Sequence, residues 1–422
     1  MAGPAMTVAP YWQLTFDADG DVNPAERDRL LAEAGPRKVV DLVVFSHGWN
    51  NDRSRATALY RAFFAPFPQL APNAKLGYVG VVWPSMRFCD EPIPDFPHLT
   101  VVQEPCLDED TRDALLETFP GKAATVERIA LLLDQRPPGD AGLAEFGELL
   151  GRLVDAVPTR CVADTPGDGP PAMLDGSVAQ WCAEFAEALQ GTDGAREFSL
   201  PNPWDGAKEL LRQATYYAMK RRAGTVGERG LGPFLGRLTA AVPGIRVHLV
   251  GHSFGGRLVS FALNGLGPGV RSVKSVTLLQ GAFSHYAFAA KLPYDQGAAG
   301  ALKGKQGLID GPLVCCHSSH DQALGTMYPL ASRMAGDARG AVGELLGAKW
   351  GAMGFGGVQA VPGTRELSLA DALRGPFPAS GCVNVDAAAV VRRGGPPAGA
   401  HSDIVHPELA RVVLAAGRIP QG

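Results

Sequence analysis

The sequence lacks a strong excess of charge of either sign. Its 39 lysines and arginines nearly balance 43 aspartates and glutamates over 422 residues, for a formal net charge of −4 at pH 7. Because nucleic-acid-binding domains carry a basic footprint, we expect no nucleic acid as a partner. Hydrophobic residues make up 46% of the chain, which is enough for a substantial core in one large domain or two ordinary ones.

Long apolar runs are also missing. No stretch approaches the roughly 20 apolar residues that span a bilayer, and a typical run, residues 39–45, is interrupted by Asp41. The opening MAGPAM has neither the basic start nor the apolar core of a secretory signal peptide. The sequence therefore predicts a cytoplasmic protein with no transmembrane segment. Export by a route that needs no signal is the open alternative.

Cysteines are few, and their spacing follows no framework. The 7 cysteines are an odd number, which favours reduced thiols over a disulfide scaffold. Cys315 and Cys316 lie beside His317 and His320, which resembles the start of a zinc site. Strand alternation would put the two cysteines on opposite faces, however, and no partner pair stands at zinc-finger spacing. We therefore predict neither a metal nor another cofactor.

Short apolar runs, turns containing glycine and helical patterns alternate along much of the chain. This alternation predicts an α/β fold with a mostly parallel sheet and helices on both faces. A helix over residues 53–64, capped by Asn51 or Asp52, follows one of the runs. The expected strands are residues 11–16, 39–45, 76–83, 245–250, 273–279, 313–316 and 382–385.

The alternation stops between residues 85 and 203, a stretch much longer than a strand–helix–strand crossover requires. Apolar residues spaced by three and four predict helices at 126–135, 143–157 and 178–189. We expect residues 85–203 to form a helical cap inserted into a core made of residues 1–84 and 204–422. A long disordered insertion is the alternative, which the content of leucine, phenylalanine and tryptophan disfavours.

The motif GHSFG at residues 251–255 directly follows the strand pattern 245–250 and precedes a helical stretch. In that setting G-x-S-x-G is typical of a nucleophile elbow, with Ser253 at the apex of a sharp turn. Gly251 and Gly255 stand where side chains would collide with the packed strand and helix. The chain has 52 glycines, so the pentapeptide alone is a weak signal, and a plain glycine-rich turn is the alternative.

A serine nucleophile needs a histidine base oriented by a carboxylate. In this architecture the acid and then the histidine follow the serine along the chain, each after a strand. Asp321 follows the strand pattern 313–316, although a simple helix cap is the alternative for it. His401 lies in a loop after the last strand pattern, whereas its competitor His406 lies in the turn into the closing helix. We expect His252 to pack beside the elbow.

Acyl transfer also requires N–H groups that bind the developing oxyanion. The backbone N–H of Phe254, directly after the serine, is one candidate. His47 and Gly48 end an early strand pattern, and Gly48 allows close approach of the backbone, which makes the N–H of Trp49 the second candidate. A strand-ending turn with Trp49 in the core is the alternative.

Together these features resemble the α/β-hydrolase superfamily of serine hydrolases, and in particular bacterial esterase-like proteins. The resemblance covers about residues 37–85 and 204–417. It implies that Ser253 attacks, His401 moves the proton and Asp321 orients His401. It also implies that the N–H groups of Trp49 and Phe254 hold the oxyanion.

The expected function is therefore hydrolysis of a small-molecule or lipid ester through an acyl-enzyme. Lipase, phospholipase, thioesterase and amidase activities remain alternatives on the same fold, because the fold does not fix the substrate. A lipase could line an acyl pocket with apolar residues near the strand ends, and ordinary core packing is the other interpretation of these residues. They are Phe63, Phe64, Phe67, Trp83, Met86 and Phe88. From a different class, a non-catalytic binding protein on a hydrolase scaffold is the remaining alternative.

Overall fold

The computed structural model describes residues 6–49, 51–86, 107–154, 163–165, 177–190, 202–327, 351–395 and 399–422. The described residues contain one eight-stranded sheet with the order β1-β3-β2-β4-β5-β6-β8-β7. Every pairing in it is parallel, which confirms the predicted α/β class. The strands are β1 (Tyr11–Thr15), β2 (Asp41–Ser46), β3 (Leu76–Val82), β4 (Arg246–His252), β5 (Val273–Leu279), β6 (Pro312–His317), β7 (Arg365–Ser368) and β8 (Gly381–Asp386).

All the predicted strands are present, with ends shifted by no more than two residues. Strand β7 was not predicted from the sequence. It pairs only with β8 at the sheet edge, and three of its four residues are exposed. Its sequence RELS therefore carries neither an apolar run nor a clear alternation, which are the signals that identified the other strands.

Helices lie between most of the strands along the chain. Asp52, one of the two expected caps, accepts a hydrogen bond from the Arg55 N–H at 2.8 Å at the start of the predicted helix over 53–64. The helices are α1 (Pro24–Glu33), α2 (Arg53–Phe64), α3 (Phe67–Leu70), α4 (Glu109–Thr118), α5 (Ala123–Gln135), α6 (Asp140–Val154), α7 (Val178–Gln190), α8 (Pro203–Thr225), α9 (Gly232–Ala241), α10 (Phe254–Phe261), α11 (Met353–Gly356), α12 (Leu369–Arg374) and α13 (Pro407–Ala416).

Alternation along the strands divides the core into two hydrophobic clusters. Leu42 and Val44 of β2 belong to the cluster that also holds residues of α1 and α4 to α10. Val43 and Phe45 belong to the cluster on the other face, with residues of α2, α3, α12 and α13. Because successive strand side chains point to opposite faces, this division confirms that helices cover both faces of the sheet.

The predicted helices between β3 and α8 are confirmed as α5, α6 and α7, while residues 155–157 lie outside the described residues. Helices α6 and α7 pack on α8, where Gly206 permits close contact because a Cβ there would lie 1.9 Å from the Cys182 carbonyl oxygen. Apolar residues of α4 to α7 share one cluster with the sheet. The division into a core and a cap stays a prediction.

A buried ion cluster joins the stretch between β3 and α8 to α8 and to α10, the helix that follows β4. The Asp164 carboxylate lies 2.8 Å from Arg257 Nε of α10 and 2.9 Å from Lys220 Nζ of α8. It also accepts the backbone N–H of Ser284 at 3.1 Å. Although burial raises the pKa of Asp164, Lys220 and Arg257 lower it to about 2, so the carboxylate is ionised and paired.

Candidate active site

The expected site residues gather at one edge of the sheet. Strands β2, β4, β5, β6 and β8 are consecutive neighbours, and their carboxyl ends share that edge. Gly48 follows β2, Ser253 follows β4 and Asp321 follows β6, while His401 lies in the segment between β8 and α13. The carboxyl edge of a parallel sheet is where α/β proteins bind ligands, because loops from separate strands meet there.

Ser253 occupies a strained turn between β4 and α10. Its φ of 55° and ψ of −123° are rare for a residue with a side chain. A Cβ at Gly251 would lie 2.3 Å from the Gly255 carbonyl oxygen, and a Cβ at Gly255 would lie 2.0 Å from the Ser46 carbonyl oxygen. Glycine is therefore required at both positions, and the tight turn presents Ser253 at the sheet edge.

Three side chains from distant parts of the chain form a hydrogen-bonded line. Ser253 Oγ lies 2.9 Å from His401 Nε2, and His401 Nδ1 lies 2.7 Å from Asp321 Oδ2. An ionised carboxylate only accepts hydrogen bonds, so the proton belongs on Nδ1, and Nε2 then accepts from the serine hydroxyl. The Asp321 side chain is fully buried, and the His401 side chain is 16% exposed. This geometry suits removal of the serine proton.

Asp321 is held in place from two further directions. Its Oδ1 accepts the backbone N–H of Leu324 at 3.0 Å, so it caps the following turn as well as contacting His401. Gln280 Nε2 lies 3.4 Å from Asp321 Oδ2 and donates to the Gly354 carbonyl at 3.1 Å. Sequence reasoning missed Gln280. The signal in the sequence was its position, as a polar residue directly after a buried strand. In the structure Gln280 has a φ of 47°, which is unusual for a residue other than glycine.

Gly48 brings the backbone after β2 against the serine. A Cβ at this position would lie 2.6 Å from Ser253 Cβ and 3.2 Å from Ser253 Oγ. The Gly48 carbonyl accepts hydrogen bonds from His47 Nδ1 at 2.8 Å and Asn51 Nδ2 at 3.3 Å. In a trans peptide the C=O and the next N–H point in opposite directions, so these bonds fix the direction of the Trp49 N–H.

Phe254 carries the other expected donor. It is the first residue of α10, where an N–H has no acceptor within the helix. Its ring packs 6.3 Å from that of Trp49 and 4.7 Å from that of Tyr216, measured between centroids. The Trp49 side chain thus packs against the core cluster, as its alternative interpretation expected, while its backbone borders the serine through Gly48.

His47 stabilises the loop that follows β2 through contacts of its ring and its backbone carbonyl. Its ring is fully buried and stacks on Trp83 at 5.5 Å, and Trp83 Nε1 donates to the His47 carbonyl at 3.0 Å. Burial lowers the pKa of His47 to about 4, so the ring is neutral near pH 7. A neutral imidazole that donates through Nδ1 stabilises the loop and supplies no charge to the site.

The other histidines near the site differ in their contacts. His252 Nε2 lies 2.9 Å from the carbonyl oxygen of His401, a contact more specific than the packing expected from the sequence. The competitor His406 bonds Asp403 at 2.8 Å. His285 is buried with its ring 4.0 Å from that of Tyr286.

Several of the apolar residues that could line the acyl pocket of a lipase lie in the hydrophobic core instead. Phe63, Phe64 and Phe67 pack with Phe45 in the cluster on the face covered by α2 and α13. Trp83 and Met86 belong to the opposite cluster, and residue 88 lies outside the described residues.

The described residues contain neither a candidate metal site nor a helix that could span a membrane. No group of histidine, cysteine and acidic side chains there is arranged to hold a metal ion. None of the helices found there is both long and apolar enough to cross a membrane. A cavity of about 640 Å³ lies at the end of β1 and the start of α9, and the residues that line it do not include the hydrogen-bonded serine, histidine or aspartate.

Comparison of the chain with protein-family models, curated proteins and solved structures gives no match. A function for this chain therefore rests on its own residues. Three features carry it: the hydrogen-bonded line, the strained serine and the backbone of Gly48 against it.

Proposed function

We propose that the protein is a serine hydrolase of the α/β-hydrolase type that cleaves carboxylic esters through an acyl-enzyme. The observation that carries the proposal is the line from Ser253 Oγ through His401 to the buried Asp321, with hydrogen bonds of 2.9 and 2.7 Å. The chain order serine, acid, histidine is the one typical of this architecture. A strained backbone costs about 1–3 kcal/mol and persists mainly where it serves a function.

Acylation begins when Ser253 Oγ attacks the ester carbonyl carbon and His401 Nε2 takes the hydroxyl proton. The carbonyl π electrons move to oxygen and form an oxyanion, which the N–H groups of Phe254 and Trp49 bind. Asp321 stabilises the imidazolium. The tetrahedral intermediate then collapses, the bond to the alcohol oxygen breaks, and His401 protonates the leaving alkoxide. The product is an acyl ester on Ser253.

Deacylation repeats these steps with water as the nucleophile. His401 Nε2 removes a proton from water as its oxygen attacks the acyl carbon. The bond to Ser253 Oγ breaks, the proton returns to the serine, and a carboxylic acid leaves. The same imidazole therefore serves both halves of the reaction, which requires its ring to hold one position relative to the serine.

Turnover of a p-nitrophenyl ester series tests the proposal. We expect hydrolysis by the wild type and a loss of about 10⁴-fold or more in kcat for Ser253→Ala. Ser260→Ala is the matched control, because Ser260 is a fully buried serine of α10 whose hydroxyl has no hydrogen-bond partner among the described residues. The control should hydrolyse the ester at nearly the wild-type rate.

Two outcomes would contradict the proposal. One is undiminished turnover by Ser253→Ala. The other is an inert wild type toward esters, thioesters and peptides, which would favour the binding protein. The ranking of acyl chain lengths and leaving groups would distinguish a short-chain esterase from a lipase or thioesterase.

A further inference from the structure

His252 ends β4 directly before the serine, and its side chain lies against the proposed base. The residue is 4% exposed. Its ring centroid lies 5.1 Å from that of His401, with the ring planes tilted by 42°. The ring of His252 therefore packs on the residue whose position the reaction depends on.

The hydrogen bond between the two residues fixes the tautomer of His252. Nε2 lies 2.9 Å from the His401 carbonyl oxygen, and a carbonyl only accepts, so Nε2 carries the proton. Nδ1 is then unprotonated, and it has no hydrogen-bond partner among the residues that the structure describes. Burial, with a further contribution from His401, lowers the pKa of His252 to about 3. The ring is thus a neutral donor at neutral pH.

His401 lies in an irregular segment, so its backbone needs anchors. The preceding residue, Ala400, donates its N–H to the His320 carbonyl at 3.0 Å. Gly399 packs tightly there too, since a Cβ on it would lie 2.6 Å from the same oxygen. These contacts tie the segment to the loop of the acid, whereas the bond from His252 ties it to the strand of the nucleophile.

We propose that His252 is a positioning residue that fixes His401 relative to Ser253 by holding the His401 backbone carbonyl. The links form a closed ring: the peptide bond joins 252 to 253, Ser253 Oγ bonds His401 Nε2, and His252 Nε2 bonds the His401 carbonyl. The inference rests on the proposed function, because positioning matters for a base that takes and returns a proton. A neutral His252 also avoids repelling the imidazolium form of His401.

The kinetic test compares two substitutions. His252→Phe fills the space without an N–H donor, and we expect kcat to fall about 10- to 100-fold with KM within about twofold, because a small misplacement of a catalytic group is costly. His252→Gln keeps a donor amide and should lose less than about fivefold. Thermal unfolding of both variants measures any loss of fold. Equal losses in the two variants, or losses that follow the folded fraction, would overturn the proposal.

A readout that needs no substrate separates this proposal from the proposed function. The proton shared by His401 Nδ1 and Asp321 gives a low-field NMR resonance, assigned by its loss in His401→Gln. We expect its exchange with solvent to be at least about tenfold faster in His252→Phe than in the wild type or His252→Gln. Unchanged exchange in His252→Phe would refute the positioning role. An inert wild type with the expected exchange pattern would refute only the hydrolase function.

Discussion

Two hydrogen-bonded sets of serine, histidine and aspartate lie at opposite edges of the same sheet. At the carboxyl edge, Ser253, His401 and Asp321 are joined by bonds of 2.9 and 2.7 Å. At the amino edge, Ser275 Oγ lies 2.9 Å from His248 Nδ1, and His248 Nε2 lies 2.9 Å from Asp41 Oδ1. Hydrogen-bond lengths alone do not distinguish the two sets.

Access and backbone geometry do distinguish them. The His248 side chain is completely buried, and a Cβ at Gly417 would lie 2.5 Å from its Nδ1, so the C-terminal segment covers the ring. Ser275 is fully buried within β5, whereas Ser253 has a φ of 55° directly after β4. A reacting carbonyl has no path to Ser275.

Charge also differs between the two edges. Asp41 contacts both His248 and Arg246, and Arg246 Nε lies 3.2 Å from Asp41 Oδ1, so Asp41 belongs to a partly buried network that includes a charged arginine. Asp321 instead receives the neutral donors Leu324 N–H and Gln280 Nε2. The same three residue types therefore bridge neighbouring strands at the amino edge, whereas at the carboxyl edge they form the line that we propose carries out acyl transfer.

The largest expected contrast is between the two aspartates. Asp321→Asn should lower kcat by about 10⁴-fold, because an amide no longer fixes the Nδ1–H tautomer or stabilises the imidazolium. Asp41→Asn should leave the turnover of folded protein near the wild-type value and lower the free energy of unfolding by about 1–3 kcal/mol. Ester hydrolysis and urea denaturation of both variants measure the contrast. Similar kinetic losses at both sites would erase the distinction between the edges.

A smaller effect is expected at the oxyanion loop. Gly48→Ala places a methyl group 2.6 Å from Ser253 Cβ, which displaces the Trp49 N–H. We expect kcat to fall about 10²- to 10³-fold, the usual cost of losing one oxyanion donor. Gly35→Ala is the control, since a Cβ there meets nothing within 4 Å. Full activity in Gly48→Ala would remove this loop from the proposed mechanism.

The smallest effect concerns acid stability. Burial lowers the pKa of His47 to about 4 and of His252 to about 3. Above pH 6.5 both the folded and unfolded states leave these rings neutral. Below it the unfolded state binds protons that the folded state does not. As the pH is lowered from 6.5 toward the folded-state pKa, the free energy of unfolding should therefore fall by about 1.4 kcal/mol per pH unit for each of these two histidines.

His248, the buried histidine at the amino edge, provides a comparison for this prediction. Burial also lowers the pKa of His248, but Asp41 opposes the shift, while Arg246 and Lys274 add to it. For His252, the charges of His401 and His47 add to the lowering of the pKa by burial, and among the described residues the hydrogen bond to the His401 carbonyl is what opposes it. The free energy of unfolding, measured by urea denaturation between pH 7 and pH 5, should thus become less dependent on pH in both variants. We expect the larger reduction in His252→Gln and the smaller one in His248→Gln. A larger change in His248→Gln would contradict this ordering.

Most strands of the fold could be predicted from local patterns in the sequence. Residues 273–279 form β5 with both ends as predicted, because a β-branched run between turns specifies a buried strand. Strand β7 lacks that signal because its side chains are exposed. Helix α1 went unpredicted although Asn23 caps it and Pro24 begins it, both of which are recognisable start signals.

The site is predictable where chain order carries the information. Ser253, Asp321 and His401 follow from motif and order, and the structure brings them within hydrogen-bond distance. The contacts of Gln280 and His252 depend on which strands are neighbours, which no local pattern contains. The amino-edge set is hidden for the same reason, since 207 positions separate Asp41 from His248.

The most direct test of the central claim is to map the adduct of a fluorophosphonate probe on the wild-type protein by peptide mass spectrometry. The probe bonds to a serine oxygen activated by a neighbouring base and loses fluoride. We expect a single adduct on the peptide containing Ser253 and none on the peptide containing Ser275. An adduct on another serine, or no adduct on the folded protein, would contradict the account.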